Sequence, residues 1–251
     1  MSYNPFTLDG KTILITGASG GIGGASALEC AKMGASIIAT GRNVERLEAL
    51  LLKLNSIKSN NSIYACDVAD EADIKNLATQ VPELDGLVLN AGIGKISPIK
   101  FINSSDFERI LKVNLVSQSL LLKELLKKKK IKNGGSVVLT ASMAGKDVPK
   151  PGEAMYGASK SAVSAFAKVA ALELASRKIR VNTVCPGVVN TMMTAGLGDL
   201  EYSKDGGISE YPLGRYGEPQ DIAWAFVYLL SDASAWITGT DLVIDGGLHI
   251  G

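Results

Sequence analysis

Short apolar runs alternate along the chain with longer segments in which apolar residues recur at helical spacing. Runs that are apolar throughout are typical of parallel strands buried on both faces. Seven runs predict strands over residues 11–16, 35–40, 62–66, 86–90, 136–142, 179–184 and 241–245. The segments between them predict helices over residues 21–33, 43–55, 71–80, 105–130, 155–176 and 219–230.

This alternation predicts an α/β fold, a Rossmann-type doubly wound parallel sheet of about seven strands with helices on both faces. No internal repeat, low-complexity tract or linker divides residues 1–251, so we expect a single catalytic domain. In such sheets, ligands bind at the carboxyl ends of the strands. The segments that follow the predicted strands are therefore where we look for functional residues.

Composition and charge argue against several classes of protein. Hydrophobic residues make up 46% of the chain, charged residues 20%, and the formal net charge is +1, which argues against a nucleic-acid partner. Cys30, Cys66 and Cys185 form no CxxC motif, and no signal peptide or membrane span is evident, so we predict a cytoplasmic protein. A single histidine, His249, argues against a histidine-based metal site, and we predict no metal.

A glycine-rich loop, TGASGGIGGA, follows the first predicted strand and opens the first helix. Glycines let the backbone approach a pyrophosphate, and the helix N-terminus offers free N–H groups to it. The spacing of Gly17, Gly21 and Gly23 differs from the common G-x-G-x-x-G fingerprint. A tight strand-to-helix connection is the simpler interpretation, but this position in the chain favours a nucleotide.

The end of the second predicted strand bears on which nucleotide binds. Folds that bind NAD usually carry Asp or Glu there to hold the ribose 2′-hydroxyl, whereas this chain has Gly41 followed by Arg42. A guanidinium suits a 2′-phosphate, and no acid remains to repel it. A solvated surface arginine is the alternative. The pattern favours NADP(H), with NAD(H) still open.

The stretch AMYGASKSAV places Tyr156 and Lys160 four residues apart among small residues. On a helix these positions share one face, and the small neighbours leave that face open to another molecule. A nearby cation favours the phenolate, so Lys160 is expected to lower the phenol pKa from its usual value of about 10. The pair predicts a tuned proton donor, although an ordinary surface pair has the same spacing.

These motifs occur together in one order along the chain. They are TGASGGIG, CDV (66–68), LNAG (89–92), VN (113–114), TAS (140–142), YGASK (156–160), NTVCPGVVNT (182–191) and ITGTDLVIDGG (237–247). Over nearly its whole length the chain resembles the short-chain dehydrogenase/reductases. Within that family it is most similar to the 3-oxoacyl-[acyl-carrier-protein] reductases, especially over PLGRYGEPQDIAWAFVYLLSDASAWITG.

The resemblance implies four catalytic residues. Tyr156 would be the general acid in carbonyl reduction, and Lys160 would lower its pKa and bind the nicotinamide ribose. Ser142, at the end of the fifth predicted strand, would polarise the substrate carbonyl. Asn114 would hold a water in a proton relay beside Lys160, although a structural helix asparagine is the alternative.

The resemblance also implies a cofactor site at the strand ends. The expected residues are Gly17, Ser19, Gly21, Ile22, Gly23, Arg42, Asp67, Val68, Asn90, Ala91, Gly92, Tyr156, Lys160, Pro186, Gly187, Val189 and Thr191. Asn90 has a second interpretation, as a brace between central strands. Two positions depart from the family pattern: Gly20, where NADP-dependent members often carry a basic residue, and Leu89, where the first Asn of NNAG is usual.

The resemblance implies an NADPH-dependent oxidoreductase that reduces a ketone to a secondary alcohol by hydride transfer. A 3-oxoacyl thioester is one substrate class, and a sugar, a polyol precursor or a steroid is the alternative. A non-catalytic NADP-binding regulatory protein is a further possibility. The complete set of four catalytic residues argues against it.

The sequence says less about protein partners and substrate specificity than about the cofactor. Lysines at 127–130, with Arg177 and Lys178, end two predicted helices and suit docking of an acidic acyl carrier protein, or simply complement helix dipoles. Residues 145–154 are expected to border the active site and to shape its specificity. The resemblance implies a substrate lid over 192–215, which is acidic in its middle. It also implies a homotetramer.

Overall fold

A computed structural model of the chain describes residues 3–195 and 207–251. Its strands are β1 (Thr12–Thr16), β2 (Ser36–Gly41), β3 (Ser62–Ala65), β4 (Leu84–Leu89), β5 (Ile131–Thr140), β6 (Arg180–Pro186) and β7 (Asp241–Ile244). They form one parallel sheet in the order β3-β2-β1-β4-β5-β6-β7. The predicted seven-stranded α/β fold is confirmed.

The helices lie on both faces of the sheet. They are α1 (Gly21–Lys32), α2 (Val44–Ile57), α3 (Glu71–Gln80), α4 (Ser104–Leu111), α5 (Ser117–Lys127), α6 (Ala154–Leu174), α7 (Met192–Ala195) and α8 (Pro219–Leu230). Side chains alternate across β1, so Leu14 packs with α3, α5 and α6 while Ile13 and Ile15 pack with α1, α2 and α8. Each face thus has its own apolar core.

The strand order reverses between β1 and β4. Strands β2 and β3 lie on one side of β1, and strands β4 to β7 lie on the other side. At such a switch point the two neighbouring strand-to-helix connections turn in opposite directions, which opens a crevice above the carboxyl ends. The glycine loop after β1 and the LNAG segment after β4 therefore border the same crevice.

The helix predicted over residues 105–130 contains a π turn that the sequence did not reveal. Residues Lys112–Val116 are π-helical between α4 and α5, and Asn114 lies in this turn. A π turn leaves main-chain groups without their usual helical partners, and Gln118 compensates: its amide donates to the Val113 carbonyl at 3.4 Å and to the Ala91 carbonyl at 3.0 Å. The turn is thus tied to the segment that follows β4.

Both ends of β5 differ from the prediction of a strand over 136–142. Strand β5 starts five residues earlier, at Ile131, with irregular pairing to β4 near its start. It ends at Thr140, so Ser142 lies two residues beyond the strand, where it caps a short 3₁₀ turn over Met143–Gly145. Ser142 therefore does not end the strand, as the sequence suggested, but begins the turn that follows it.

The lid predicted over 192–215 lies partly outside the described residues, which omit 196–206. On either side of that gap, α7 follows β6, and a 3₁₀ turn over Ile208–Glu210 precedes Tyr211. Within residues 3–195 and 207–251, no helix is long and apolar enough to cross a membrane.

Candidate active site

The glycine loop folds closely onto the end of β4. Gly17 and Gly21 have φ angles of 66° and 53°, in the region that side chains disfavour. A Cβ at Gly23 would collide with the Gly17 carbonyl oxygen and would lie 2.8 Å from the Asn90 amide nitrogen. No side chain of the described residues caps the N-terminus of α1, so its first N–H groups face the crevice. This cradle, which a side chain would fill, fits a pyrophosphate.

A line of hydrogen bonds joins this loop to Lys160. The Asn90 amide donates to the Thr16 carbonyl at 3.2 Å, and its oxygen accepts from the Thr140 hydroxyl at 3.1 Å. The Thr140 carbonyl in turn accepts from Lys160 Nζ at 2.7 Å. Asn90 therefore braces β1, β4 and β5 at their carboxyl ends, in agreement with its second interpretation, and also lines the cofactor cleft.

Close packing between α6 and the turn after β5 brings Ser142 and Tyr156 together. A Cβ at Gly157 would lie 2.7 Å from the Ala144 carbonyl oxygen, and one at Gly145 would lie 2.7 Å from the Gly157 carbonyl oxygen. The glycines thus permit a backbone approach that larger residues would prevent. As a result Tyr156, in the first turn of α6, lines the same cavity as Ser142.

The electrostatics of the Tyr156–Lys160 pair differ from the sequence prediction. Burial raises the pKa of Tyr156 to about 12, against a lowering by the hydrogen bond with Ser142 and a further raising by Glu153. Burial also lowers the pKa of Lys160 to about 8. The predicted fall of the phenol pKa is therefore wrong for the protein's own groups. Lys160 Nζ lies 5.7 Å from the Tyr156 ring centroid and is bonded to Thr140 instead.

Asn114 is buried in the π turn, and its carboxamide is already engaged. Its oxygen accepts from the Ile93 N–H at 2.8 Å, and its nitrogen donates to the Ile93 carbonyl and to Ser159 Oγ, both at 2.9 Å. The side chain therefore holds the segment after β4 rather than facing either the cofactor cleft or the substrate cavity. The amide oxygen of Asn114 and Lys160 Nζ both lie beside Gly92, and the water of the expected proton relay stays a prediction.

Most of the predicted cofactor residues line one cleft along the strand ends. They are Gly17, Ser19, Gly21, Ile22, Arg42, Asp67, Val68, Asn90, Ala91, Gly92, Tyr156, Lys160 and Thr191. Pro186, Gly187 and Val189 line the adjoining substrate cavity instead, together with Thr191, which borders both. Gly23 packs behind the loop.

The cleft contains two arginines that sequence reasoning missed. Arg46, in the first turn of α2, lines it together with the exposed Arg42, and Arg109 of α4 also lines it. The Arg46 guanidinium also donates to Met192 Sδ at 3.3 Å. The available signal for a shared site was that Arg42 and Arg46 lie on either side of Asn43, the N-cap of α2.

Ser142 and Tyr156 open onto a cavity of about 130 Å³. Its apolar lining comes from Ile22, Ile96, Met143, Ala144, Val148, Val188, Val189, Met193 and Leu248. Lys95, Lys150 and Glu153 also border it, and Lys95 and Lys150 form ion pairs with Asp106 and Glu210. The contribution of Leu248, near the C-terminus, was not predicted, because nothing local marks a residue so distant in sequence as part of the cavity.

No group of three or more His, Cys, Asp or Glu side chains in the described ranges could hold a metal ion. Cys30, Cys66 and Cys185 are buried as free thiols. The geometry thus combines a cradle for a dinucleotide with a hydroxyl, a phenol and an ammonium beside a mainly apolar cavity. Such a set can hold a carbonyl oxygen and supply a proton to it.

Comparisons with known proteins agree with this geometry. A family model described as enoyl-(acyl carrier protein) reductase matches residues 17–249. A 3-oxoacyl-[acyl-carrier-protein] reductase from Rickettsia bellii is 39% identical over 241 residues, covering 96% of this chain and 98% of that protein. A D-threitol dehydrogenase from Mycolicibacterium smegmatis is also 39% identical, over 249 residues, covering 98% and 95%.

Solved structures of similar proteins have the same fold. A short-chain dehydrogenase/reductase from Mycobacterium marinum superposes with a TM-score of 0.91 at 32% identity, covering 98% of both chains. A protein from Beutenbergia cavernae described as an NAD(P)-dependent gluconate 5-dehydrogenase, with bound NADP, superposes with a TM-score of 0.91 at 30% identity, covering 99% and 100%.

Proposed function

We infer the function from family membership, because this chain belongs to the short-chain dehydrogenase/reductase family. It is an oxidoreductase with a site for a nicotinamide cofactor. We propose that it uses NADPH to reduce 3-oxoacyl thioesters, carried by an acyl carrier protein, to 3-hydroxyacyl thioesters.

The observation that carries this proposal is the lining of the substrate cavity. Beside Ser142 and Tyr156, the walls are formed mainly by aliphatic side chains and methionines, including Met143, Val148 and Leu248. A short acyl chain can bury its methylenes there, whereas a sugar would leave hydroxyls without hydrogen-bond partners. The similarity to the Rickettsia bellii reductase supports the same substrate class.

The residues that would hold the cofactor line the cleft and the adjoining part of the substrate cavity. The N–H groups at the start of α1 would bind the pyrophosphate. Arg42 and Arg46 would bind the 2′-phosphate, and Asp67 with Val68 would contact the adenine. Pro186 and Gly187 would contact the nicotinamide carboxamide. NADPH, when bound, supplies the hydride for carbonyl reduction.

The chain's own groups would manage the proton. Ser142 donates a hydrogen bond to the substrate carbonyl oxygen, where negative charge develops. Tyr156 donates its phenolic proton to the same oxygen. Because burial raises its pKa to about 12, the phenol remains protonated near neutral pH, which is the form that reduction requires. Lys160 would bind the nicotinamide ribose with its ammonium.

A polyol or a sugar is the second candidate substrate. Lys95, Lys150 and Glu153 border the cavity and offer polar groups to hydroxyls. The D-threitol dehydrogenase is as similar to this chain as the Rickettsia bellii reductase. Identity to relatives therefore does not decide between the two classes.

The proposed carrier protein would need a second subunit of this chain. The basic cluster (residues 127–130, Arg177 and Lys178) lies at the amino edge of the sheet, where Arg177 bonds the Ile131 carbonyl at the start of β5. Strand β5 then runs ten residues, or roughly 30 Å, to the edge with the active site. A carrier docked on the cluster would thus lie a sheet length from that chain's own cavity.

An assembly could bring the cluster to another subunit's cavity. Val116, Val169 and Leu172 are 40%, 55% and 80% exposed on the π turn and α6, two segments that pack against each other. We propose that these residues form part of the contact between subunits in a homotetramer, and that each carrier docks on one subunit and serves the cavity of another.

The first test is a substrate panel with purified protein, in which turnover is measured as the loss of NADPH absorbance. We expect kcat/KM for an acetoacetyl thioester to exceed that for ketoses by about 100-fold, because unpaired hydroxyls in an apolar cavity are costly. Faster turnover of a ketose, or of D-threitol with NADP in the reverse direction, would replace the thioester by the second candidate substrate.

Replacing Tyr156 with Phe tests the proton donor. We expect kcat to fall about 1000-fold because the proton has no other donor in reach, while NADPH binding stays nearly unchanged. Tyr228→Phe on α8, outside the cavity, is the matched control and should keep full activity. Activity surviving in Tyr156→Phe would show that another group supplies the proton.

The pH profile of reduction tests the role of Lys160. Its lowered pKa means that the ammonium is present below about pH 8 and is lost above it. We therefore expect kcat/KM for reduction to be level from about pH 6 to 8 and to fall above that. Alcohol oxidation needs the phenolate, so its rate should rise with pH up to about pH 8, where the Lys160 ammonium is still present. A reduction profile that stays level to about pH 10 would remove Lys160 from the mechanism.

The two arginines determine cofactor preference in this proposal. Arg42→Ala and Arg46→Ala should each raise the NADPH KM about 10-fold, since a hydrogen bond to a charged group contributes roughly 1.5–3 kcal/mol. The NADH KM should hardly change, because NADH lacks the 2′-phosphate. Lys75→Ala, which removes an exposed cation on α3 outside the cleft, is the control. Equal effects on NADPH and NADH would contradict the phosphate site.

A further inference from the structure

The segment after β7 folds around a buried carboxylate. The side chain of Asp245 is only 4% exposed, and its oxygens accept from the Gly247 N–H at 3.0 Å and the His249 N–H at 2.9 Å. The imidazole Nδ1 of His249 lies 2.7 Å from the same carboxylate. We refer to residues 245–250 as the C-terminal turn.

This turn borders the substrate cavity. Gly187, a predicted nicotinamide contact, packs directly on Asp245: a Cβ at Gly187 would lie 3.1 Å from the Asp245 Cα, and its N–H donates to the Ile244 carbonyl at 3.0 Å. Leu248, at the middle of the turn, lines the cavity that holds Ser142 and Tyr156. The position of the turn therefore shapes one wall of the substrate cavity.

The outer side of the turn is fixed by the segment around Tyr211. The Leu213 N–H donates to the Gly246 carbonyl at 3.2 Å, and Pro212 packs against Gly247. On the inner side, the carboxylate of Asp245 holds the turn. A buried carboxylate needs hydrogen-bond donors, and His249 supplies its one side-chain donor among the described residues. Without the imidazole, the Asp245 carboxylate loses this hydrogen bond, and we expect the turn to shift as the carboxylate pairs with other donors.

We propose that His249 is a positioning residue for substrate binding, acting through Asp245 to hold Leu248 against the substrate. His249 itself does not line the cavity, and its side chain is 33% exposed on the outer surface. Its imidazole fixes the turn, the turn fixes Leu248, and Leu248 contacts the bound substrate. The inference rests on the proposed use of this cavity for substrate, not on the identity of that substrate.

The test compares steady-state kinetics of four variants with the unmodified chain, using the best substrate from the panel. His249→Ala should raise the KM for that substrate about 5-fold, with kcat unchanged and a smaller rise in the NADPH KM, because the turn reaches the substrate through Leu248 and the nicotinamide site only through Gly187. Leu248→Ala should raise it about 10-fold through lost apolar contact. His249→Asn, whose amide can replace Nδ1 as a donor, should restore the KM. Ile250→Ala, exposed one residue further on, is the control.

The double variant, Leu248→Ala with His249→Ala, separates a positioning role from a general one. If His249 acts through Leu248, its loss should add nothing to the KM of Leu248→Ala. If the KM of the double variant rises by the product of the two single-variant factors, the inference is overturned. An unchanged KM in His249→Ala would also overturn it. So would a loss of kcat, NADPH affinity and thermal stability together. A panel result that replaces the thioester by another substrate changes the proposed function but leaves this comparison intact.

Discussion

Asn90 joins three strands at the edge where the cofactor cleft and the substrate cavity meet. Its side chain bridges the Thr16 carbonyl on β1 and the Thr140 hydroxyl on β5, while its own backbone N–H donates to the Thr16 hydroxyl. The glycine loop depends on this arrangement, because Gly23 has room only for a hydrogen atom beside the Asn90 amide. Lys160 depends on it too, through the Thr140 carbonyl. A displacement of Asn90 would therefore move the pyrophosphate cradle and the ammonium together.

The fold and the outline of the site could be predicted from local patterns. Seven apolar runs gave the strands because both faces of a parallel sheet are buried, and the glycine loop was recognisable because its backbone must turn and approach a ligand. The four catalytic positions came from resemblance, and the structure gathers Ser142, Tyr156 and Lys160 at one edge of the sheet. These features depend on sequence order or on short-range geometry.

The features that the sequence did not reveal depend on burial and on distant packing. The spacing of Tyr156 and Lys160 says that they share a helix face, but not that burial raises one pKa and lowers the other. The π turn adds one residue to a helical turn while the apolar pattern on both sides continues, so periodicity does not mark it. Arg46 and Leu248 reach the site only because α2 and the C-terminal turn pack beside it.

Lys160 also has a consequence for the energetics of folding. It is 3% exposed, and its Nζ donates to a backbone carbonyl. Burial lowers its pKa from the ordinary lysine value of 10.5 to about 8, so between these pH values the unfolded chain holds a proton that the native protein has released. The contribution of this group therefore destabilises the native state fully below about pH 8, and the penalty fades as the pH rises toward 10.5. The buried ammonium destabilises the native state most in the pH range where it is charged. A dinucleotide whose ribose accepts hydrogen bonds from this ammonium would therefore stabilise the folded protein as well as take part in the reaction.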